Sequence, residues 1–277
     1  MLSIALALAA CSAQPTPLST PTSTPEASLT HPTDANVVIL RLEDGGGIMP
    51  MELFATHAPT FSLYGDGTAV YQPIDTRAGN PVGGLQPLQW RKATLDEAQI
   101  GALLGYALGQ GGLGEARDHY DDPSIIDAPG SVFTIRANGL DKTVNVYALG
   151  MEGQNTPDRE IRARFLALAG LLRDFWAQVA AGRATDAGIY EAAAYRAVLL
   201  EAQGVPGEVR DWPWAGLAPA DFTAPPNSEQ SEAIVSPDQA RELSATPEGG
   251  FFAIAVVGPD GVLYTVALRP LLPDESE

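Results

Sequence analysis

The chain predicts an α+β fold: a largely antiparallel sheet built from hairpins and packed by two or three amphipathic helices. Two observations carry the prediction. Alternating apolar runs come in pairs around residues that tolerate positive φ, and capping chemistry recurs just ahead of apolar runs at helical spacing. The first strand is expected at Val37–Leu42. A hairpin follows, Phe61–Tyr64 and Thr68–Tyr71 around Gly65-Asp66-Gly67, and then a strand near 88–92. Thr94-Leu95-Asp96-Glu97 reads as a capping box opening a helix over 95–108. Val132–Ile135 and Val144–Tyr147 flank a loop containing Asn138-Gly139, a second hairpin.

The longest helix is expected from Pro157 to about Ala181, with Thr156 as cap and proline at the first helical position. Ile161, Phe165, Leu168, Leu172, Phe175, Trp176 and Val179 form its stripe, while Arg159, Arg162, Arg164 and Arg173 lie mostly off it. Gly182 should stop it. A strand is expected at Ala194–Leu200, and residues 204–235, rich in Gly, Pro, Asp and Ser, read as a long irregular connection. Ser236-Pro237-Asp238-Gln239 is a capping box for a helix over 237–244. The last hairpin pairs Phe251–Val257 with Val262–Leu268 around Gly258-Pro259-Asp260-Gly261. Hairpin followed by helix recurs faintly along the chain, as an old duplication or as the habit of α+β folds. Residues 36–277 are expected to form a single α+β domain, with a sub-boundary near 183–193.

The first thirty-five residues read differently. Leu2 to Ala10 is an uncharged apolar run ending in Leu8-Ala9-Ala10-Cys11. It is far shorter than the ~20 residues needed to span a bilayer, but it fits the apolar core of an export signal. Small residues at 9 and 10 suit signal cleavage, so residues 1–10 are expected to be removed and Cys11 lipidated. No Lys or Arg precedes the run, so an in-frame upstream start encoding a basic segment is expected. Cys11 is the only cysteine among the 277 residues, which rules out an internal disulfide. Each buried acyl CH₂ contributes about 0.8 kcal/mol, and two chains anchor stably where one is marginal. Ser12 to Ala35 holds five prolines among Ser and Thr and is expected to be a disordered tether, extending up to ~3.1 Å per residue.

Composition narrows the function. With 34 acidic residues against 16 basic ones the formal charge is −18, which excludes the basic footprint that nucleic acid requires. The same balance opposes docking on anionic lipid through charge. Neither HExxH, GxSxG nor SxxK occurs, and Gly45-Gly46-Gly47 precedes Ile48-Met49-Pro50, which cannot open a phosphate-binding helix. No cofactor is expected.

Two weak site candidates remain. Asp118, Asp121 and Asp122, with His119 beside them, are the densest polar cluster. They read as Ca²⁺ ligands or an acid–base pair, or as a solvated turn, since the spacing lacks the alternation of a calcium loop. Trp212 and Trp214 read as a sugar-stacking pair or as tryptophans that pin a loop to the core. Carboxylate pairs for glycoside hydrolysis are spatial and leave no mark in the sequence.

The lipobox Leu8–Cys11, the loop Gly45–Pro50, the turn Tyr64-Gly65-Asp66-Gly67 and the terminal Arg269-Pro270-Leu271-Leu272-Pro273 together resemble uncharacterised secreted bacterial lipoproteins. The resemblance implies attachment to the bacterial membrane outside the cytoplasm and supplies no catalytic residue. The reading is a lipid-anchored, non-catalytic binding or structural module with a protein or glycan partner in the envelope. A cell-wall or glycan hydrolase and a calcium-dependent adhesive domain are the alternatives.

Overall fold

The computed structural model describes residues 29–47, 57–73, 90–153, 155–202, 209–225, 230–243 and 254–275. Cys11, Leu8, Ala9 and Ala10, with most of the expected tether, lie outside those residues. So do Ile48–Pro50 and the first three residues of the expected strand at Phe251–Val257.

The fold is α+β, as expected, but with two sheets in place of one. β1 (Val38–Gly46), β2 (Phe61–Tyr64), β3 (Thr68–Tyr71), β4 (Arg91–Thr94), β5 (His119–Tyr120), β6 (Pro129–Ala137), β7 (Leu140–Tyr147) and β8 (Thr185–Ile189) form the first, ordered β5-β7-β6-β1-β2-β3-β4-β8. β9 (Tyr195–Glu201), β10 (Val209–Asp211), β11 (Ser231–Val235), β12 (Ile254–Val257) and β13 (Leu263–Pro270) form the second, ordered β10-β12-β13-β9-β11. All pairings are antiparallel except β5 with β7 and β10 with β12. The chain passes from one sheet to the other across 190–194. The 204–235 connection therefore carries two strands, β10 and β11, too short to stand out from the surrounding Gly and Pro.

The hairpins follow their turn chemistry. Asn138 and Gly139 both take positive φ, 54° and 77°, which a two-residue turn matched to strand twist requires. Gly67 sits at φ +84°, and a Cβ there would lie 2.3 Å from the carbonyl of Leu95.

Among the described residues there are four helices: α1 (Glu97–Leu108), α2 (Arg159–Arg173), α3 (Phe175–Ala180) and α4 (Pro237–Leu243). The first three cover one face of the larger sheet. The box at Ser236 forms as expected, with Gln239 N–H donating to Ser236 Oγ at 3.2 Å and Ser236 N–H to Gln239 Oε1 at 3.0 Å. The first box is displaced by two residues: Asp96 is the cap, with Gln99 as its reciprocal partner. Thr94 is the last residue of β4, so its backbone is already committed to the sheet. Thr156 does not cap α2 either. Its hydroxyl donates to Asp122, and Asp158 precedes the helix at φ 56°.

The expected single helix from Pro157 is two helices. At Asp174 the backbone leaves the helical region, and the Asp174 side chain accepts from Ala177 N–H, recapping the next segment. The break turns Phe175 into the sheet, where its ring meets Phe61 at 4.6 Å and Tyr71 at 5.3 Å. Trp176, expected on the stripe, instead faces outward beneath the guanidinium of Arg91. Arg162, expected off the stripe, is fully buried.

Residues 29–35, read with the tether, are packed on the domain. Leu29 rests on the main core, and Asn138 N–H donates to Thr30 O at 2.7 Å. His31 Nε2 lies 3.3 Å from Glu97.

The opposite face of the larger sheet receives the end of the chain. Leu272 is buried among Val38, Tyr64, Val70 and Trp90, and Tyr190 donates to Leu271 O at 2.7 Å. Burying such a leucine contributes about 1.5–3 kcal/mol. Asp274 accepts from Arg41 and from the Tyr64 hydroxyl, each at 2.7 Å. Glu275 accepts two hydrogen bonds from Arg269, both 2.7 Å, and one from Leu272 N–H at 3.0 Å.

Burial opposes ionisation of both carboxyls, but their guanidinium partners outweigh it and hold them below the ordinary carboxylate range. A carboxyl whose folded pKa is depressed contributes stability that is complete above its unfolded pKa and is lost as pH falls through the folded value. Acidification below about pH 4 is therefore expected to cost stability through this clamp, and Asp274→Asn with Glu275→Gln to flatten the loss. Urea midpoints across the acid range check it. Parent and double variant losing stability in parallel would contradict it.

Candidate functional site

Asp122, Trp212 and Trp214 are held in the packing of the domain, while Asp118, His119 and Asp121 are exposed. Asp122 is buried and accepts hydrogen bonds from Ser124 and from the Thr156 hydroxyl, tying its own turn to the one before α2. Those bonds, Ser124 first, hold its carboxyl below the usual range. Asp118 and Asp121 are exposed, and the backbone carbonyl of Asp118 accepts from Asn145 N–H at 2.8 Å. His119 is exposed in β5. Among the described residues no three His, Cys, Asp or Glu side chains converge as metal ligands.

Trp212 and Trp214 stand edge to face at 5.5 Å. Trp214 is 2% exposed and donates to Gln239 O at 2.8 Å; Trp212 donates to Leu217 O at 2.6 Å. Phe222 and Tyr264 close on the Trp212 ring within about 6 Å. The rings plug the loop after β10 onto the second sheet, which leaves little open face for a sugar.

A concave site lies elsewhere. α1 runs beside α2 and α3, and the crease between them encloses about 670 Å³. Leu103 and Tyr106 of α1 line it from one side, Leu171 and Phe175 from the other. Ala98 and Ala102 edge it on α1. Its volume falls in the ~300–1,000 Å³ range of small-molecule sites.

The polar groups gather at one end, where the start of α1 meets the residues after α3. Asp96 is spent as the helix cap, and Gln99 donates to Gly182 O at 3.3 Å. Arg183 donates to Gln178 Oε1 at 2.6 Å and, among the described residues, meets no carboxylate. Ten other described arginines are ion-paired, while Arg210 instead donates to Leu243 O at 3.4 Å. Among the described residues that line it, the polar groups are two amides, one guanidinium, one capping carboxylate and the Tyr106 hydroxyl.

Sequence reasoning passed over this site, although a signal was present. From Ala98 to Leu108 the helix carries no charge on any face. A helix apolar all round is one that expects cover on more than one side. The partner wall, Leu171 and Phe175, is more than sixty residues away, and only folding brings it alongside.

The fold is α+β, with a largely apolar crease between α1 and α2–α3. No family model matches the chain, and no curated protein or solved structure does.

Proposed function

We propose that this protein is a lipid-anchored, extracytoplasmic binding module of the bacterial envelope, without catalytic activity of its own. The observation that carries the reading is Cys11: a lone cysteine closing Leu8-Ala9-Ala10 after an apolar run and followed at once by a Pro/Ser/Thr tract. The likeness of these and the scattered motifs to secreted bacterial lipoproteins supports the same placement. Among the described residues no helix is long and apolar enough to cross a membrane, so attachment in this reading rests on lipid. The groove between α1 and α2–α3 supports the binding half. The charge of −18 supports a role away from nucleic acid.

Expression in a bacterium fed labelled palmitate tests the anchor. Label on the parent chain, a matching gain in intact mass and their loss in Cys11→Ser are expected. An unmodified Cys11 thiol, with all the protein in the soluble fraction, would refute it.

A further inference from the structure

We propose that the groove between α1 and α2–α3 binds a long-chain fatty acid, its alkyl chain along the crease and its carboxylate on Arg183. The inference deepens the binding half of the function above by naming the ligand, and it does not depend on the anchor.

The shape of the site selects a small occupant over a protein. Twelve residues line it, against the ~20–30 a side that a standard protein interface uses. From Leu95 to Tyr106 the crease follows α1 for about 16 Å at ~1.5 Å per residue, close to the length of an extended myristoyl chain. The partly exposed walls offered to that chain are Leu103, Leu171 and the ring of Tyr106, with the buried Phe175 beneath them.

Charge selects the head group. The far end is apolar on both walls, so an amphiphile can enter in only one orientation, head toward Arg183. Arg183 is exposed in a strongly acidic protein in which ten other described arginines form ion pairs; Arg210, which donates to Leu243 O, lies in the second sheet and does not line the groove. A guanidinium left without a carboxylate in that setting favours an anion, and its planar fork suits a carboxylate. Asp96 stands at the same end and repels an anion, so the head must sit on the Arg183 side of the crease, away from the α1 cap. Gln178, also a lining residue, accepts from Arg183 Nε at 2.6 Å.

Ala102 provides the steric probe. It is exposed on the edge of the crease and is absent from the core, so a larger side chain there fills the groove without disturbing the interior. The experiment uses the full chain carrying Cys11→Ser, purified without detergent and titrated calorimetrically with myristate, myristyl alcohol and tetradecyltrimethylammonium. Saturable binding of one myristate is expected, tighter than the alcohol, with the cation weakest. Ala102→Trp should weaken myristate at least about tenfold at an unchanged melting temperature. Arg183→Gln should weaken myristate to the level of the alcohol and leave the alcohol unaffected.

Four results would each overturn the proposal: no uptake of myristate, equal affinity for acid and alcohol, full binding by Ala102→Trp, or occupation by an amphipathic helical peptide or a second copy of the chain in place of myristate. The labelling experiment reads the anchor separately, so a chain that binds myristate but is never lipidated would sustain this inference and remove only the membrane placement.

Discussion

Replacing Arg162 by Met is expected to lower the unfolding free energy by about 3–5 kcal/mol, the cost of breaking a buried ion pair from one side. The Arg162 side chain is fully buried on α2, at 0% exposure, and Glu152, at 17%, stands 3.3 Å from its Nε. Its remaining donors reach the carbonyls of Tyr120 in β5 and Tyr147 in β7. One side chain thus ties the helix to the two strands at the edge of the larger sheet. Methionine preserves much of the volume, so the loss isolates the polar contacts from any cavity. The two carbonyls and Glu152 would be left without their donor in a site largely closed to water. Adding Glu152→Gln should recover part of the loss by removing the stranded charge. Urea unfolding followed by tryptophan fluorescence measures both variants. A change under about 1 kcal/mol in Arg162→Met would show that water or a neighbouring donor replaces the guanidinium.

Phe165→Ala is expected to cost a similar amount, about 3–5 kcal/mol, through a different mechanism. The ring is fully buried, packed edge-on against Tyr120 at 5.0 Å and tilted against Phe133 at 5.9 Å. Removing it opens a cavity between α2 and the sheet that backbones on both sides are too constrained to fill. A fall in melting temperature of about 10 °C or more corresponds to that loss for a domain of this size. Leu166→Ala is the control, since the neighbouring side chain is 38% exposed and should cost under about 1 kcal/mol. Equal effects at 165 and 166 would contradict the packing described for α2.

The elements that local chemistry dictates were legible in the sequence. Asn138-Gly139 and Gly67 specify tight turns because few other residues tolerate their positive φ, so the strands beside them were readable with them. The box at Ser236 was readable because both partners lie within four residues. The displaced cap at Asp96 marks the limit of that logic. Thr94 has the right side chain and the right spacing, but β4 claims its backbone, and β4 exists only because β3 and β8 pair with it. The same holds for Arg162, whose spacing places it at the flank of the stripe, where burial depends on what the sheet presents opposite. The split at Asp174 was local in chemistry, yet its value lies in turning Phe175 toward Phe61 and Tyr71, which are remote in sequence.

The site divides in the same way. The proposed signal at Cys11 and the tract after it are readable as consecutive residues. The groove has no such signature. Its walls come from 95–106 and 171–183, and Arg183 joins them only in the folded chain. Trp212 and Trp214 show the converse: an aromatic pair conspicuous in sequence is spent on the interior once Phe222 and Tyr264 close around it. By itself, then, the sequence determined the α+β class, the hairpins, the acidic character and the lipoprotein-like start, since each depends on neighbours along the chain. The tertiary structure alone decided that there are two sheets, which charges are buried and where the crease opens, because those depend on contacts whose partners are remote in sequence and whose energies exist only when the chain is packed.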